Sequence, residues 1–301
     1  MVPALAIISF NRPDYLRNRL LEILNQNILV PKVLVSIDGE KSSGISNRFA
    51  YDLLVQEFKD STNIDFIFHE DNLGCDLHIK TVIDYMAERF QQFIIIEDDI
   101  EITNFFVAVM EVQHHKNPIV VGFSPFSAHG SFLQLFDNRW RKTPFFSAWG
   151  YGMNAATWKL FKFTTNQKEI LQLLSQSTIW KSFSKYRKDI WLSRFSRGNF
   201  DFQVQLNLFA LDLDVSLPFF RIVNNCGFSD SRSTHTTGKK PWSIFGNTYS
   251  TKMPSDRYLV RYIAKILIFT DRFLWVCDTP LRTRGRTVGI RTFLRGFFKS
   301  S

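Results

Sequence analysis

Short apolar runs alternate with amphipathic stretches through the first 125 residues of this chain. The runs ALAIISF, KVLVSID, IDFIFH, QFIIIE and PIVVGFS are rich in Ile, Val and Phe and nearly free of charge until their last residue. That composition suits strands buried on both faces. Between them, residues 14–25, 46–59, 76–90 and 104–115 repeat their apolar positions at helical spacing. Strand alternating with helix predicts an α/β fold, a mostly parallel sheet with helices on both faces. Ligands bind such sheets beyond the carboxyl ends of the strands. That rim collects Asn11-Arg12, Asp38-Gly39, His69–Asn72 and Glu97–Asp99.

The alternation breaks down from about residue 126. FFSAWGYGMNAATWKLF predicts a turn running into a helix, NFDFQVQLNLFAL a helix, VSLPFFRIV a strand, and NNCGFSDSRSTHTTGKKPW a long polar loop. The pattern predicts one domain over residues 1–255, with halves meeting near residue 125, and a helical tail over 256–301.

Charge sharpens that division. Of the 37 Lys and Arg and 28 Asp and Glu, the segment from Arg257 to Ser301 holds ten bases and two acids. The rest of the chain therefore has 27 bases against 26 acids. A near-neutral body argues against a nucleic-acid-binding face there. In the tail, Arg257, Arg261, Lys265 and Arg272 share one helical stripe, with Leu, Ile and Phe over most of the remainder. That mixture predicts an element lying on an anionic membrane surface. No run approaches the roughly 18 apolar residues of a membrane span, and the N-terminus carries no secretory signal pattern. Cys75, Cys226 and Cys277 lie far apart in the sequence. They predict neither a disulfide framework nor a thiolate metal site, and they fit a reducing, cytoplasmic compartment.

The concentrated chemistry lies in FIIIEDDIEI, residues 93–102, where Glu97, Asp98 and Asp99 end an apolar strand. A capping turn would use one such acid. Three acids at the ligand-binding edge of a parallel sheet predict a cation, and oxygen ligands suit Mg2+ or Mn2+ bridging to phosphates. Asp212-Leu213-Asp214 repeats the spacing but sits between a helix and a strand start, the wrong edge for this role. GYGMNA at 150–155 fits a G-x-G-x-x-A pattern, but it lies mid-chain instead of in the first strand–helix turn, so no dinucleotide site is predicted. Walker, H-E-x-x-H and nucleophile-elbow patterns are absent from the sequence.

Taken in order, IISFNRPDYL, VSIDG, HEDNLGC, IIIEDD, WGYGMNAATW, FDFQVQLN and NCGFSDSRSTHT resemble a family of bacterial glycosyltransferases. The family has the GT-A, Rossmann-like fold, is family 2-like, and is related to the N-acetylglucosaminyltransferase I type. The resemblance runs from about residue 5 to residue 237 and departs from the family at Phe200 and Val204, where Trp is usual. It implies transfer of a sugar from a nucleotide-diphosphate donor, with UDP the expected nucleotide, to a hydroxyl of a glycan or lipid-linked saccharide, with inversion. By the same likeness Asp99 coordinates Mn2+ or Mg2+ and His235 completes the coordination shell. Asp98 faces the donor ribose or sugar, and Asp38 with Gly39 meets the donor base. Asn11, Arg12, Asn72, Glu97, Trp149 and Gly150 complete the donor site. Asp201 is the expected general base, with Asp230 as the alternative.

The resemblance also implies bacterial surface polysaccharide synthesis on the inner face of the plasma membrane. Two other readings stay open on the residues alone. A sugar nucleotidyltransferase should carry a Gly-rich basic N-terminal loop, and SFNRPDYL has no Gly. A non-catalytic membrane- or nucleic-acid-binding module would rely on the basic tail only.

Overall fold

The computed structural model describes residues 2–40, 48–114, 116–122, 140–218 and 222–227. Four of the apolar runs become adjacent parallel strands: β1 (Ala4–Ser9), β2 (Val33–Ile37), β3 (Ile64–Phe68) and β4 (Gln92–Glu97). Alternate side chains on each strand enter opposite cores. Leu5 and Ile7 of β1 and Ile94 and Ile96 of β4 pack in one core, whereas Ala4, Ala6, Phe93 and Ile95 pack in the other. Burial on both faces is why these runs read as continuously apolar.

The predicted helices form within two residues of their expected ends. α1 (Pro13–Leu24) begins with Pro, whose missing N–H would have no helical acceptor at that position. It buries Leu16, Leu20 and Ile23 on one stripe. α2 (Arg48–Glu57) joins it on the first face, while α3 (Cys75–Arg89) covers the second face with Ile79, Val82, Ile83 and Met86.

A short β5 (Ile100–Ile102) and α4 (Phe106–His114) follow β4, then β6 (Ile119–Val121) and β7 (Trp140–Thr143). The expected turn before residue 155 contains a strand, β8 (Tyr151–Asn154), antiparallel between β4 and β6. This differs from the sequence expectation, because four residues are too short for their pattern to outweigh Gly and Asn. Gly152 is required there, since a Cβ would sit 1.8 Å from Nε2 of His114. Small helices follow: α5 (Ala155–Trp158), α6 (Gln167–Leu174), α7 (Thr178–Lys181) and α8 (Lys185–Phe195). The chain then enters α9 (Phe200–Ala210), β9 (Val215–Pro218) and β10 (Val223–Asn225).

Among the described residues the main sheet has the order β3-β2-β1-β4-β8-β6-β9-β7, with β8 and β7 antiparallel to the rest. It is the mostly parallel, Rossmann-like α/β sheet that the alternation predicts. Strand order reverses between β1 and β4, since β2 lies on the far side of β1. The crevice beyond the carboxyl ends at such a reversal is where doubly wound sheets place ligands.

α9 is held by buried amides, an unusual core for a helix. Gln203 accepts from the Thr164 N–H and donates to its carbonyl at 2.9 and 3.0 Å, and Asn207 does the same with Lys162 at 2.7 and 2.9 Å. Gln205 accepts from Phe146 N–H at 2.8 Å and donates to Pro144 at 2.6 Å. Each amide completes main-chain hydrogen bonding in an irregular segment that burial would otherwise leave unpaired. No helix among the described residues is long and apolar enough to cross a membrane. The tail over 256–301 lies outside the described residues, as do His235 and Asp230.

Candidate active site

The reversal point carries the charge. β1 and β4 pair in register with Ile8 opposite Glu97, so the residues leaving the two strands are neighbours. Ser9 donates its hydroxyl hydrogen to Asp98 Oδ2 at 2.7 Å and also meets Tyr51 Oη at 3.0 Å. Arg12, just before α1, places Nη2 2.5 Å from Asp98 Oδ1 and donates from Nη1 to Asp99 Oδ2 at 2.9 Å. One guanidinium fork therefore spans both carboxylates, the geometry Arg is suited to.

Asp98 and Asp99 are 1% and 6% exposed. Burial raises the Asp98 carboxyl to about 6 against the pull of Arg12, with Asp99 adding to the rise. Asp99 is also raised by burial, again opposed by Arg12. Glu97 is pushed well above the carboxylate range by burial, then by the negative charges of Asp99, Asp201 and Asp98. On Arg12 burial acts downward, but Asp98 and Asp99 outweigh it and the guanidinium is raised.

A small antiparallel ribbon of β5 and β10 brings residues 226–227 against Asp99. Cys226 N–H donates to the Asp99 carbonyl at 2.8 Å. Gly227 lies so close that a Cβ would be 2.0 Å from Asp99 Oδ2. Asp99 Oδ2 is thus enclosed by Arg12 and Gly227, while Asp99 Oδ1 is buried without a hydrogen-bond partner among the described residues. An orphaned carboxylate oxygen in an acidic recess fits a divalent cation. Among the described residues no three His, Cys, Asp or Glu side chains form a metal cage. A cation here would take its remaining ligands from water and a diphosphate, the usual habit of Mg2+.

Asp201 comes from the other half of the chain. It opens α9, and its charge acts on Glu97, Cys75 and Tyr151. Asp201 is exposed at the first turn of α9. Desolvation first, and Asp76 second, push its carboxyl up to about 6. Asp76 Oδ1 accepts the Phe200 N–H at 2.8 Å, joining the first turns of α3 and α9. The hydroxyl of buried Tyr151 has no hydrogen-bond partner among the described residues.

Asp38, Gly39 and Asn72 form a second group along the rim. Asp38 accepts from Gly39, Leu73 and Gly74 N–H at 3.0, 2.8 and 3.0 Å and from Asn72 Nδ2 at 3.3 Å. Asn72 Nδ2 also donates to the Gly39 carbonyl at 2.7 Å. A Cβ on Gly39 would stand 2.2 Å from the Asp71 carbonyl carbon, so only glycine lets this loop close. The Asp38 oxygens are engaged within the chain and shape the loop entering α3.

Asn11 is half-buried beside Arg12. Trp149 packs against the first core, and Gly150 takes φ +64° in the turn before β8. The second Asp-x-Asp is structural, as its position implied. Asp212, at φ +49°, accepts from Ser177 Oγ, Thr178 Oγ1 and the Thr178 and Ile179 N–H groups at 2.8–3.0 Å.

Ser9, Tyr51, Cys75, Asp76, Tyr151, Cys226 and Gly227 escaped the sequence reading as site residues. Ser9 and Asp76 had a signal, since Ser9 lies in IISFNRPDYL two residues before Asn11 and Asp76 directly follows HEDNLGC. Gly227 and Tyr151 lie inside the quoted stretches NCGFSDSRSTHT and WGYGMNAATW without being singled out there, and only the fold sets Gly227 against Asp99.

No family model and no curated protein matches the chain. Among solved structures it is similar to the mannosyltransferase PcManGT from Pyrobaculum calidifontis in complex with GDP-Man and Mn2+. That match has 13% identity over 59% of this chain and 48% of the other, with a TM-score of 0.38. It is also similar to GalNAc-T7 with UDP, GalNAc and Mn2+, at 7% identity, 73% and 43% coverage, and a TM-score of 0.44. The chain spans less than half the length of either structure.

Proposed function

We propose that this chain is a metal-dependent glycosyltransferase acting on a nucleotide-diphosphate sugar. One observation carries the reading. At the strand-order reversal, Asp98 and Asp99 are buried at the end of β4 against Arg12. Asp99 Oδ1 has no hydrogen-bond partner among the described residues, and Asp201 opens a separate helix. Asp99 suits a cation beside a diphosphate, and Asp201 suits a base for an incoming hydroxyl.

A divalent cation held at Asp99 would neutralise charge on the departing nucleoside diphosphate. Asp98, held by the Ser9 hydroxyl, would lie beneath the donor. The acceptor oxygen attacks the anomeric carbon, and the bond from that carbon to the diphosphate oxygen breaks with its electron pair. Asp201 takes the hydroxyl proton. A single displacement of this kind inverts the anomeric centre.

The finer assignment is a UDP-sugar donor and a glycan or lipid-linked acceptor in bacterial surface polysaccharide synthesis. His235 would add to the metal shell. The basic tail would hold the protein against the anionic inner leaflet, on the cytoplasmic side. The residue resemblance and the tail's charge pattern support these points.

A panel of nucleotide sugars tests the reading. Without acceptor, slow Mn2+-dependent hydrolysis of one donor is expected, and the matching nucleotide plus Mn2+ should raise the melting temperature. A folded protein that hydrolyses none and is stabilised by none would sink it.

A further inference from the structure

The feature left unexplained is that the acidic pair already has a cation. Arg12 contacts Asp98 at 2.5 Å and Asp99 at 2.9 Å, and Ser9 takes the other Asp98 oxygen. Both Asp98 oxygens are therefore occupied, as is Asp99 Oδ2. Of the four oxygens of Asp98 and Asp99, Asp98 Oδ1 has only the ion pair with Arg12, and Asp99 Oδ1 has neither a hydrogen bond nor an ion pair among the described residues. A metal ion arriving alone also meets the positive charge of Arg12 close by, and like charges repel strongly in a buried recess. The side chain of Arg12 makes no helix-capping hydrogen bond that would hold it in place for α1.

We propose that Arg12 is a resident counter-ion that competes with the divalent metal for Asp99 and yields to it when a diphosphate arrives. The guanidinium fork fits phosphate oxygens as well as carboxylates. A diphosphate therefore offers Arg12 an equivalent partner while it supplies the metal with missing ligands. Metal and nucleotide then bind as a pair, and the carboxylates never lie buried without a cation. The proposal rests on the glycosyltransferase reading and assigns Arg12 as a positioning residue, not a catalytic one.

Mn2+ binding to the full chain, followed by electron paramagnetic resonance, tests it with Mn2+ alone and with UDP or GDP added. Wild type should bind Mn2+ weakly alone and much more tightly with nucleotide. Arg12→Gln should bind Mn2+ alone about tenfold more tightly than wild type or better, having lost a neighbouring positive charge. Its gain from nucleotide should shrink. Arg12→Lys keeps the charge but cannot span two carboxylates, so it should fall between them. It also serves as the test if Arg12→Gln folds poorly. A structural role alone would weaken Mn2+ binding, never strengthen it. Nucleotide-dependent Mn2+ binding that is the same in all three proteins overturns this inference alone. No Mn2+ binding by folded wild type with either nucleotide overturns both the inference and the glycosyltransferase reading.

Discussion

Asp76 accepts the main-chain N–H of Phe200 at 2.8 Å, tying the start of α3 to the start of α9 across 124 residues of sequence. The bonded Phe200 immediately precedes Asp201, and Asp76 also helps raise the Asp201 carboxyl. Replacing Asp76 with Ala should cost about 1 kcal/mol, the usual weight of a lost N-terminal cap. Asp76→Asn keeps an acceptor and should retain most of that stability. Urea unfolding of the three proteins measures the difference, and equal loss in both variants would contradict the hydrogen-bond account.

Asp201 as general base has a pH signature. Its carboxyl is raised to about 6 and must be ionised to accept a proton, so turnover should fall as pH drops below about 6. Asp76→Asn removes a neighbouring negative charge and should move that acidic limb to lower pH. Asp201→Asn should keep donor affinity and lose roughly 10²- to 10⁴-fold in turnover. Turnover intact with donor binding lost would assign it a different role.

For Asp99→Ala the expectation is a folded protein without metal-dependent donor binding. Its main-chain carbonyl still receives Cys226 N–H, so the turn should persist. Thermal melts with UDP and Mn2+ should show the wild-type stabilisation and none in the variant. Full activity of wild type in excess EDTA would also refute the metal role.

His78 makes stability depend on pH away from the recess. Its ring is buried, and its Nε2 meets Ser36 Oγ at 2.8 Å, with His69 Nε2 on the same oxygen at 3.0 Å. Burial lowers the His78 pKa to about 4, with Asp38 opposing and His69 adding to the fall. The unfolded chain therefore takes up a proton below about pH 6.5 that the folded chain refuses until about pH 4. The contribution of His78 is complete above pH 6.5 and declines as pH falls toward 4. The advantage of wild type over His78→Asn in urea midpoint should accordingly be smaller at pH 5 than at pH 7.5. An advantage that does not change with pH would refute the assignment.

The tail proposal predicts co-sedimentation with anionic liposomes by the full chain, weakened by salt, and much reduced binding by a chain ending at Ser255. Equal binding by the two, or binding that ignores salt and lipid charge, would rule out the anchor.

The strand and helix order of the first half was legible in the sequence. Apolar runs of five or six residues and amphipathic stretches of ten or more carry their own periodicity, and burial on both sheet faces reinforces it. The rim position of Arg12, Asp38 and Glu97–Asp99 follows from the same alternation, because each lies at or just past the end of such a run. Tertiary structure alone decided what those groups do to one another. Pairing of β1 with β4 turns Arg12 toward Asp98 and Asp99, and the β5–β10 ribbon sets Gly227 against Asp99. Asp38 reads as a free rim acid, but the fold turns it inward onto the amides of residues 73 and 74. Strand β8 and the buried amides of α9 leave no periodic trace, since their partners lie on distant segments. Local patterns report which side a residue faces. Which charge meets which, and which carboxylate oxygen stays open, depends on contacts between segments that no local pattern encodes.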